Sequence, residues 1–106
     1  MQAYKLDDMT KGWFVGDFSP AALHTDRAEV AVKTYAAGMV EPRHMHRIAT
    51  EVTLILQGRA RMNDRYFDAG DIVVIEPGEV TEFESLTDVT TVVVKQPSVA
   101  GDKYEC

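Results

Sequence analysis

The sequence has a single cysteine, Cys106, and it contains no long hydrophobic run. Because one cysteine has no partner within the chain, a disulfide framework is excluded. No apolar stretch approaches the roughly 20 residues that a membrane-spanning helix needs, so we expect no membrane partner. Residues 1–8 do not have the composition of a signal peptide. The simplest expectation is a cytoplasmic protein.

Basic residues are scarce as well. Lysine and arginine number 11 against 17 aspartates and glutamates, which gives a formal net charge of -6. Nucleic acids and anionic membrane surfaces attract basic proteins, so neither is an expected partner. The 106 residues suffice for one small domain, predicted over residues 1–106, and the hydrophobic content of 45% is that of an ordinary globular protein.

The chain also lacks a convincing long helix, and short strand patterns take its place. Segments rich in β-branched and aromatic residues alternate with glycine, proline, asparagine and aspartate, which is typical of an all-β sandwich or barrel. At most one helical turn is expected, at residues 19–24, where Ser19 is a suitable cap and Pro20 suits the first turn. The predicted strands are 11–18, 29–36, the segment with His44 and His46, 52–56, 59–62, 65–68, 72–75, 80–84 and 90–95.

Two of these predicted strands carry apolar residues on both faces. Residues 72–75 are all apolar and predict a fully buried strand. If Glu51 faces inward, the alternation of a strand also brings Thr53 inward. The outer face is then apolar and must be covered, either by a second subunit or by the N-terminal strand, and we predict a homodimer. The residues of that outer face are Val52, Leu54 and Leu56.

Three side chains suited to metal binding lie close together in the sequence. His44 and His46 are two residues apart, so a strand would point both imidazoles to the same face. Glu51 follows at a distance that lets the chain return with its carboxylate near the same point. Two imidazoles and one carboxylate can bind a divalent metal and leave coordination positions open. The alternative is a chance cluster of surface residues.

The spacing around these residues resembles the first signature motif of the cupin family. Gly38 is followed by His44, His46, Glu51 and Gly58 at the positions that the motif marks. The run from Gly70 to Thr81 is similar to the second motif of the family. The resemblance implies a double-stranded β-helix, the jelly-roll barrel of the RmlC-like cupins.

The same resemblance implies a metal centre. In the family, three histidines and one glutamate commonly hold the metal, and His44, His46 and Glu51 match the first three of these positions. The fourth, a histidine in the family, is Thr81 here, and a hydroxyl is a poor ligand beside an imidazole. Three possibilities follow. The metal binds through three protein ligands, a nearby Glu79 or Glu82 replaces the histidine, or the site has lost its metal.

The resemblance therefore favours a metal-dependent enzyme of dioxygenase, isomerase, epimerase or lyase type, with a small polar metabolite as substrate. Iron, manganese, nickel and zinc all remain candidates as the divalent metal. The alternative is a non-catalytic binding or regulatory domain for a sugar or organic acid. Strand parity predicts that the pocket is lined by Tyr35, Thr53, Met62, Thr81 and Phe83. Trp13 is expected to pack in a core or an interface rather than to form a pocket wall.

Overall fold

A computed structural model describes all 106 residues, and nearly every regular element in it is a strand. The single helical element is a short 3₁₀ turn at Leu6–Asp8. The strands are β1 (Trp13–Gly16), β2 (Leu23–His24), β3 (Glu29–Tyr35), β4 (Val40–Met45), β5 (Thr50–Gln57), β6 (Arg59–Met62), β7 (Arg65–Asp68), β8 (Ile72–Ile75), β9 (Thr81–Ser85), β10 (Val89–Gln96) and β11 (Tyr104–Glu105).

The strands form two sheets. One has six strands in the order β2-β1-β3-β10-β5-β8, and the other has five in the order β11-β4-β9-β6-β7. All pairings are antiparallel except that of β1 with β2. The two sheets bury their facing sides against each other, as in a jelly roll. The predicted all-β fold is confirmed.

A hydrophobic cluster fills one part of the space between the sheets. Both sheets contribute to it, so its burial holds them together. Tyr35, Phe67 and Val73 pack against its edge. The members of the cluster are Ile55, Ala60, Met62, Ile75, Phe83 and Val89.

The inner face of β3, β10 and β5 follows a two-residue alternation, which a register shift between Thr90 and Thr91 interrupts at one end of the pairing of β10 with β5. Odd-numbered residues of the three strands point between the sheets, so polar and apolar side chains form rows across the sheet. These rows place residues from distant parts of the chain side by side. The rows are Glu29–Lys95–Glu51, Ala31–Val93–Thr53 and Lys33–Thr91–Ile55.

The outer face of the same sheet is apolar across four neighbouring strands. Its members are partly or fully exposed in the single chain. Because β1 extends this sheet beyond β3 in the strand order, it does not cover the outer face of β5. Of the two predicted covers, the N-terminal strand is therefore excluded. The outer-face residues are Val30, Val32, Val52, Leu54, Leu56, Ile72, Val74, Val92 and Val94.

Two predictions about local structure are wrong. Residues 72–75 form the edge strand β8, where Ile72 is 65% and Val74 is 53% exposed, so the strand is buried on its inner side only. An apolar run does not distinguish a strand that is covered on both faces from one whose outer face is exposed. Residues 19–24 form a bend followed by β2, and the helical turn lies at Leu6–Asp8 instead. No helix in the structure has the length and apolar character needed to span a membrane.

Candidate metal and ligand site

A cavity of about 420 Å³ opens between the two sheets. It is lined by 20 residues, and Met62 and Phe83 belong both to its wall and to the hydrophobic cluster. The structure brings the three proposed ligands and the five proposed pocket residues together in this cavity. These are the proposed ligands His44, His46 and Glu51 and the proposed pocket residues Tyr35, Thr53, Met62, Thr81 and Phe83.

A bulge in β4 decides which of its side chains reach the cavity. Glu41 pairs with Phe83 and His44 pairs with Thr81, so three steps along β4 correspond to two along β9. Such an extra residue re-aims the side chains that follow it. As a result, both Glu41 and His44 line the cavity. Simple alternation from His44 would instead place Pro42 on that face, which is why sequence reasoning missed Glu41.

The two histidines are buried and held by backbone carbonyls. His44 is 8% and His46 5% exposed, and their ring centroids lie 5.3 Å apart. Nδ1 of His44 donates to the Pro42 carbonyl over 3.0 Å, and Nδ1 of His46 donates to the Asp102 carbonyl. A proton on Nδ1 leaves the lone pair of the neutral ring on Nε2. This is the usual tautomer of a histidine that binds a metal through Nε2.

Glu51 and His46 both line the cavity, and their side chains face each other. Its Oε1 lies 3.5 Å from Nε2 of His46, and its Oε2 accepts a hydrogen bond of 3.1 Å from the Thr53 hydroxyl. The interaction with the Glu51 carboxylate raises the pKa of His46, while burial opposes that shift. Burial acts to raise the pKa of Glu51, but the contacts with His46 and Thr53 outweigh it and lower that pKa. The pair therefore favours the ionised carboxylate.

Two imidazoles and a carboxylate are groups that bind divalent metals, and both histidines have the tautomer that leaves Nε2 free to bind one. Nε2 of His46 is buried and has no hydrogen-bond partner, although it points at a carboxylate. A buried polar atom without a partner is costly and calls for an explanation, and a metal ion is one that suits imidazole and carboxylate together. As the side chains stand, however, no three His, Cys, Asp or Glu groups are close enough to form a complete ligand set.

Thr81 occupies the position where the family resemblance implies a histidine. It lies directly opposite His44 in the pairing of β4 with β9, and it lines the cavity. The two glutamates considered as substitutes do not line the cavity. Glu82 lies 3.4 Å from Arg61, and Glu79 accepts the backbone N–H of Glu76 over 3.1 Å. Neither glutamate is therefore placed to replace the missing histidine as a ligand.

Asp102 anchors the segment that follows β4, and nothing in its local sequence indicated this. Its carboxylate accepts backbone N–H groups of Arg47 (2.8 Å), Ile48 (3.2 Å) and Ala49 (2.9 Å), and its carbonyl accepts from His46. Burial acts to raise the pKa of Asp102, but these backbone donors outweigh it and lower that pKa. The next strand, β11, pairs with β4. The C-terminal segment thus holds the segment that carries His46 in place.

Tyr35 is a fixed wall of the cavity rather than a mobile acid or base. Its hydroxyl donates to Oε1 of Glu41 over 2.8 Å, and its ring centroid lies 4.7 Å from that of Phe83. Burial and the neighbouring Glu41 raise the pKa of Tyr35 far above its ordinary value. The phenol therefore stays protonated and acts as a hydrogen-bond donor.

Several cavity residues escaped the sequence reasoning. Trp13 lines the cavity, so the expectation that it packs elsewhere is wrong. Lys33 shares a strand face with Tyr35, which was a usable signal in the sequence. Lys95 and Thr91 come from the last long strand, and only the register of β10 reveals that they face the site.

The comparisons with known proteins bear on the fold. No protein-family model matches this sequence, and no curated protein sequence does either. Among solved structures, a protein with a double-stranded β-helix domain from Klebsiella pneumoniae is 21% identical, with a TM-score of 0.70 over 94% of this chain and 88% of that one. An RmlC-like cupin from Shewanella frigidimarina is 16% identical, with a TM-score of 0.67 over 71% of this chain and 70% of that one.

A larger protein shares the same architecture. The DMSP lyase DddQ from Ruegeria pomeroyi is 19% identical, with a TM-score of 0.73, and the match covers 88% of this chain but 49% of that one. Together with the two-sheet topology, these similarities show that the chain has the double-stranded β-helix fold of the cupins.

Proposed function

We propose that this protein is a metal-dependent enzyme that acts on a small polar molecule in the cavity between its sheets. The observation that carries the proposal is the hydrogen bonding of His44 and His46. The Nδ1 atom of each donates to a backbone carbonyl, and Nε2 of His46 faces Glu51. The fold supports the proposal too, since its neighbours include a lyase. Fold alone does not choose a reaction, because function depends on the site.

The residues around the proposed ligands have distinct tasks. His44, His46 and Glu51 would hold a divalent iron, manganese, nickel or zinc ion, which would supply Lewis acidity or, if it is iron, oxygen chemistry. Thr53 orients Glu51 through its hydroxyl. Tyr35 has no free O–H to donate to a bound molecule, because its hydroxyl already donates to Glu41. Met62 and Phe83 form an apolar wall that limits the access of water.

Elemental analysis of protein purified without a histidine tag or chelators tests this proposal. We expect about one equivalent of a transition metal per chain, since a single three-ligand site is proposed. The identity of the metal then directs the search for activity toward oxygen or Lewis-acid chemistry. Protein that contains no metal and takes none up on reconstitution would contradict the proposal.

One observation favours a second function, the binding of a sugar or organic acid without catalysis. Thr81 faces His44 at the position where a further ligand would strengthen a metal site. A binding protein would hold its ligand equally well after metal removal, whereas an enzyme of the proposed type would need one particular metal for turnover. Ligand binding measured with and without a chelator separates the two functions.

Replacing Thr81 with histidine is expected to tighten metal binding about ten-fold or more, because an imidazole is a far better ligand than a hydroxyl. The pairing of Thr81 with His44 places the new side chain beside the proposed ligands. Competition with a chromogenic zinc chelator measures the affinity.

A suitable control is Glu82→His, which adds a histidine one residue away, where Glu82 contacts Arg61 instead of lining the cavity. Equal affinities for the parent protein and Thr81→His would show that Thr81 does not face a metal.

We also propose that the protein is a homodimer that buries the apolar outer face of the six-stranded sheet. This face spans β3, β10, β5 and β8 and carries nine apolar side chains. Two chains of net charge -6 repel each other, so two copies are expected to meet through an apolar face rather than through their charged surfaces. Exposed apolar patches of this extent usually mark an interface.

Val92→Glu is expected to convert the dimer to a monomer. Val92 lies near the middle of the face, paired with Val32 on one side and Leu54 on the other, so a charge there would be buried in the dimer. Light scattering coupled to size-exclusion chromatography measures the mass. Val40→Glu is the matched control, because Val40 is 62% exposed on the other sheet. A parent protein with the mass of one chain would refute the dimer.

A further inference from the structure

The charge of the cavity is opposite in sign to the charge of the chain. Four lysines and three glutamates line it, which gives a small positive balance in a protein of net charge -6. A divalent metal at the proposed site would add to that balance. Because low-dielectric walls strengthen local fields, a positive balance inside the cavity would favour a small anion there even though the protein as a whole is negative. The lining charges are Lys11, Lys33, Lys95 and Lys103 against Glu29, Glu41 and Glu51.

Lys95 is the lysine best placed to contact a bound molecule. On the inner face of the sheet it lies between Glu29 on β3 and Glu51 on β5. Its side chain is only 16% exposed, and its ammonium lies 3.4 Å from one carboxylate oxygen, that of Glu29. An ammonium group has three donors, so this contact leaves capacity for a ligand. If Glu51 bound a metal ion, Glu29 would be the carboxylate that remains for Lys95.

An aromatic surface stands beside this ammonium. The ring centroid of Trp13 lies 5.0 Å from the Lys95 ammonium and 5.7 Å from that of Lys33. Lys33 contacts Glu41 over 3.4 Å, and the same glutamate already accepts from Tyr35. The indole is thus an apolar surface with two ammonium groups nearby, that of Lys33 on β3 and that of Lys95 on β10. Such a surface suits a small molecule that has an anionic end and a carbon skeleton.

Thr91 carries a second buried polar atom without a hydrogen-bond partner. This atom is the hydroxyl oxygen. Thr91 is 1% exposed and pairs with Lys33 across β10 and β3. Buried hydroxyls without partners are uncommon, and the oxygen of this one is covered by neighbouring atoms although other atoms of Thr91 line the cavity.

We propose that Lys95, Lys33 and Trp13 form a subsite for the carboxylate of a small organic acid. A single negative charge matches the one excess positive charge of four lysines over three glutamates, which a doubly charged phosphate would exceed. The inference rests on the proposed function, since it assumes that the cavity receives a small molecule, and it names the class of that molecule. The metal would then lie at one end of the acid and Lys95 at the other.

Trp13 reports on this subsite directly, because it is the single tryptophan of the chain. Lactate, its neutral analogue lactamide and inorganic phosphate are titrated at constant ionic strength against metal-free and zinc-loaded protein while tryptophan fluorescence is followed. We expect a saturable change with lactate and none with lactamide, and weaker competition by phosphate. Lys95→Met should weaken lactate binding about ten-fold or more, because it removes a charged hydrogen-bond donor.

Lys5→Met is the matched control, since Lys5 is exposed and outside the cavity, and it should bind lactate as the parent does. If Lys95→Met does not fold, Lys33→Met is the second probe and should weaken binding several-fold. An equal response to lactamide, unchanged affinity in the lysine variants, or no saturable response to lactate would overturn the subsite. Zinc affinity measured on the same samples tests the metal site separately, so the two proposals fail independently.

Discussion

His46→Ala is expected to lower the metal content of the purified protein about ten-fold or more, because one of the three proposed ligands is lost. His46 is 5% exposed, and its Nε2 atom has no hydrogen-bond partner in the structure. Alanine removes this nitrogen and also the Nδ1 group that donates to the Asp102 carbonyl. Equilibrium dialysis against zinc, followed by elemental analysis, measures the change.

His24→Ala is the matched control for this experiment. His24 is an exposed histidine outside the site, paired with Asp17 over 2.9 Å, and its loss should leave the metal content unchanged. The same metal content in both variants would remove His46 from the ligand set and, with it, the present basis of the metal centre.

Asp102→Ala is expected to destabilise the fold and weaken the metal site together. The carboxylate accepts three backbone N–H groups in residues 47–49, and hydrogen bonds to a charged acceptor are among the stronger ones. We expect a loss of about 2–4 kcal/mol in the free energy of unfolding, because exposed donors regain water but the buried one does not. A midpoint of thermal unfolding lower by about 10 °C or more would follow for a domain of this size.

The effect on metal binding distinguishes positioning from simple destabilisation. Well below the melting temperature, Asp102→Ala should still bind zinc about ten-fold more weakly, since partners that orient ligands typically contribute that much. Asp26→Ala is the control, because Asp26 is exposed and its carboxylate makes no hydrogen bond. A folded Asp102→Ala variant with the zinc affinity of the parent would show that Asp102 stabilises the loop without positioning His46.

Some of the candidate site could be predicted because its signals are local. His44, His46 and Glu51 stand within eight residues of one another, and strand alternation is enough to put the histidines on one face. The same alternation nominated Tyr35 and Thr53, and all of these side chains line one cavity. Glu41 was missed for a local reason too, because a bulge in β4 breaks the alternation between it and His44.

Other features depend on contacts that no short window of sequence contains. Asp102 reaches His46 from 56 residues away, and Lys95 comes beside Glu51 only through the pairing of β10 with β5. The exposure of Ile72 likewise reflects the position of β8 at the edge of its sheet. Strand order and register set each of these, and both result from the sum of all pairings in the chain.

The sequence by itself determined the all-β character of this protein, its resemblance to the cupins and the identity of its proposed metal ligands. These follow from residue chemistry and from spacing along a strand, which act over a few residues. The tertiary structure alone decided that Trp13 and Lys95 join the site, that Asp102 holds the His46 loop, and that β1 leaves the outer face of β5 uncovered. The reason is physical: side chains far apart in the chain meet only where the two sheets and their registers bring them.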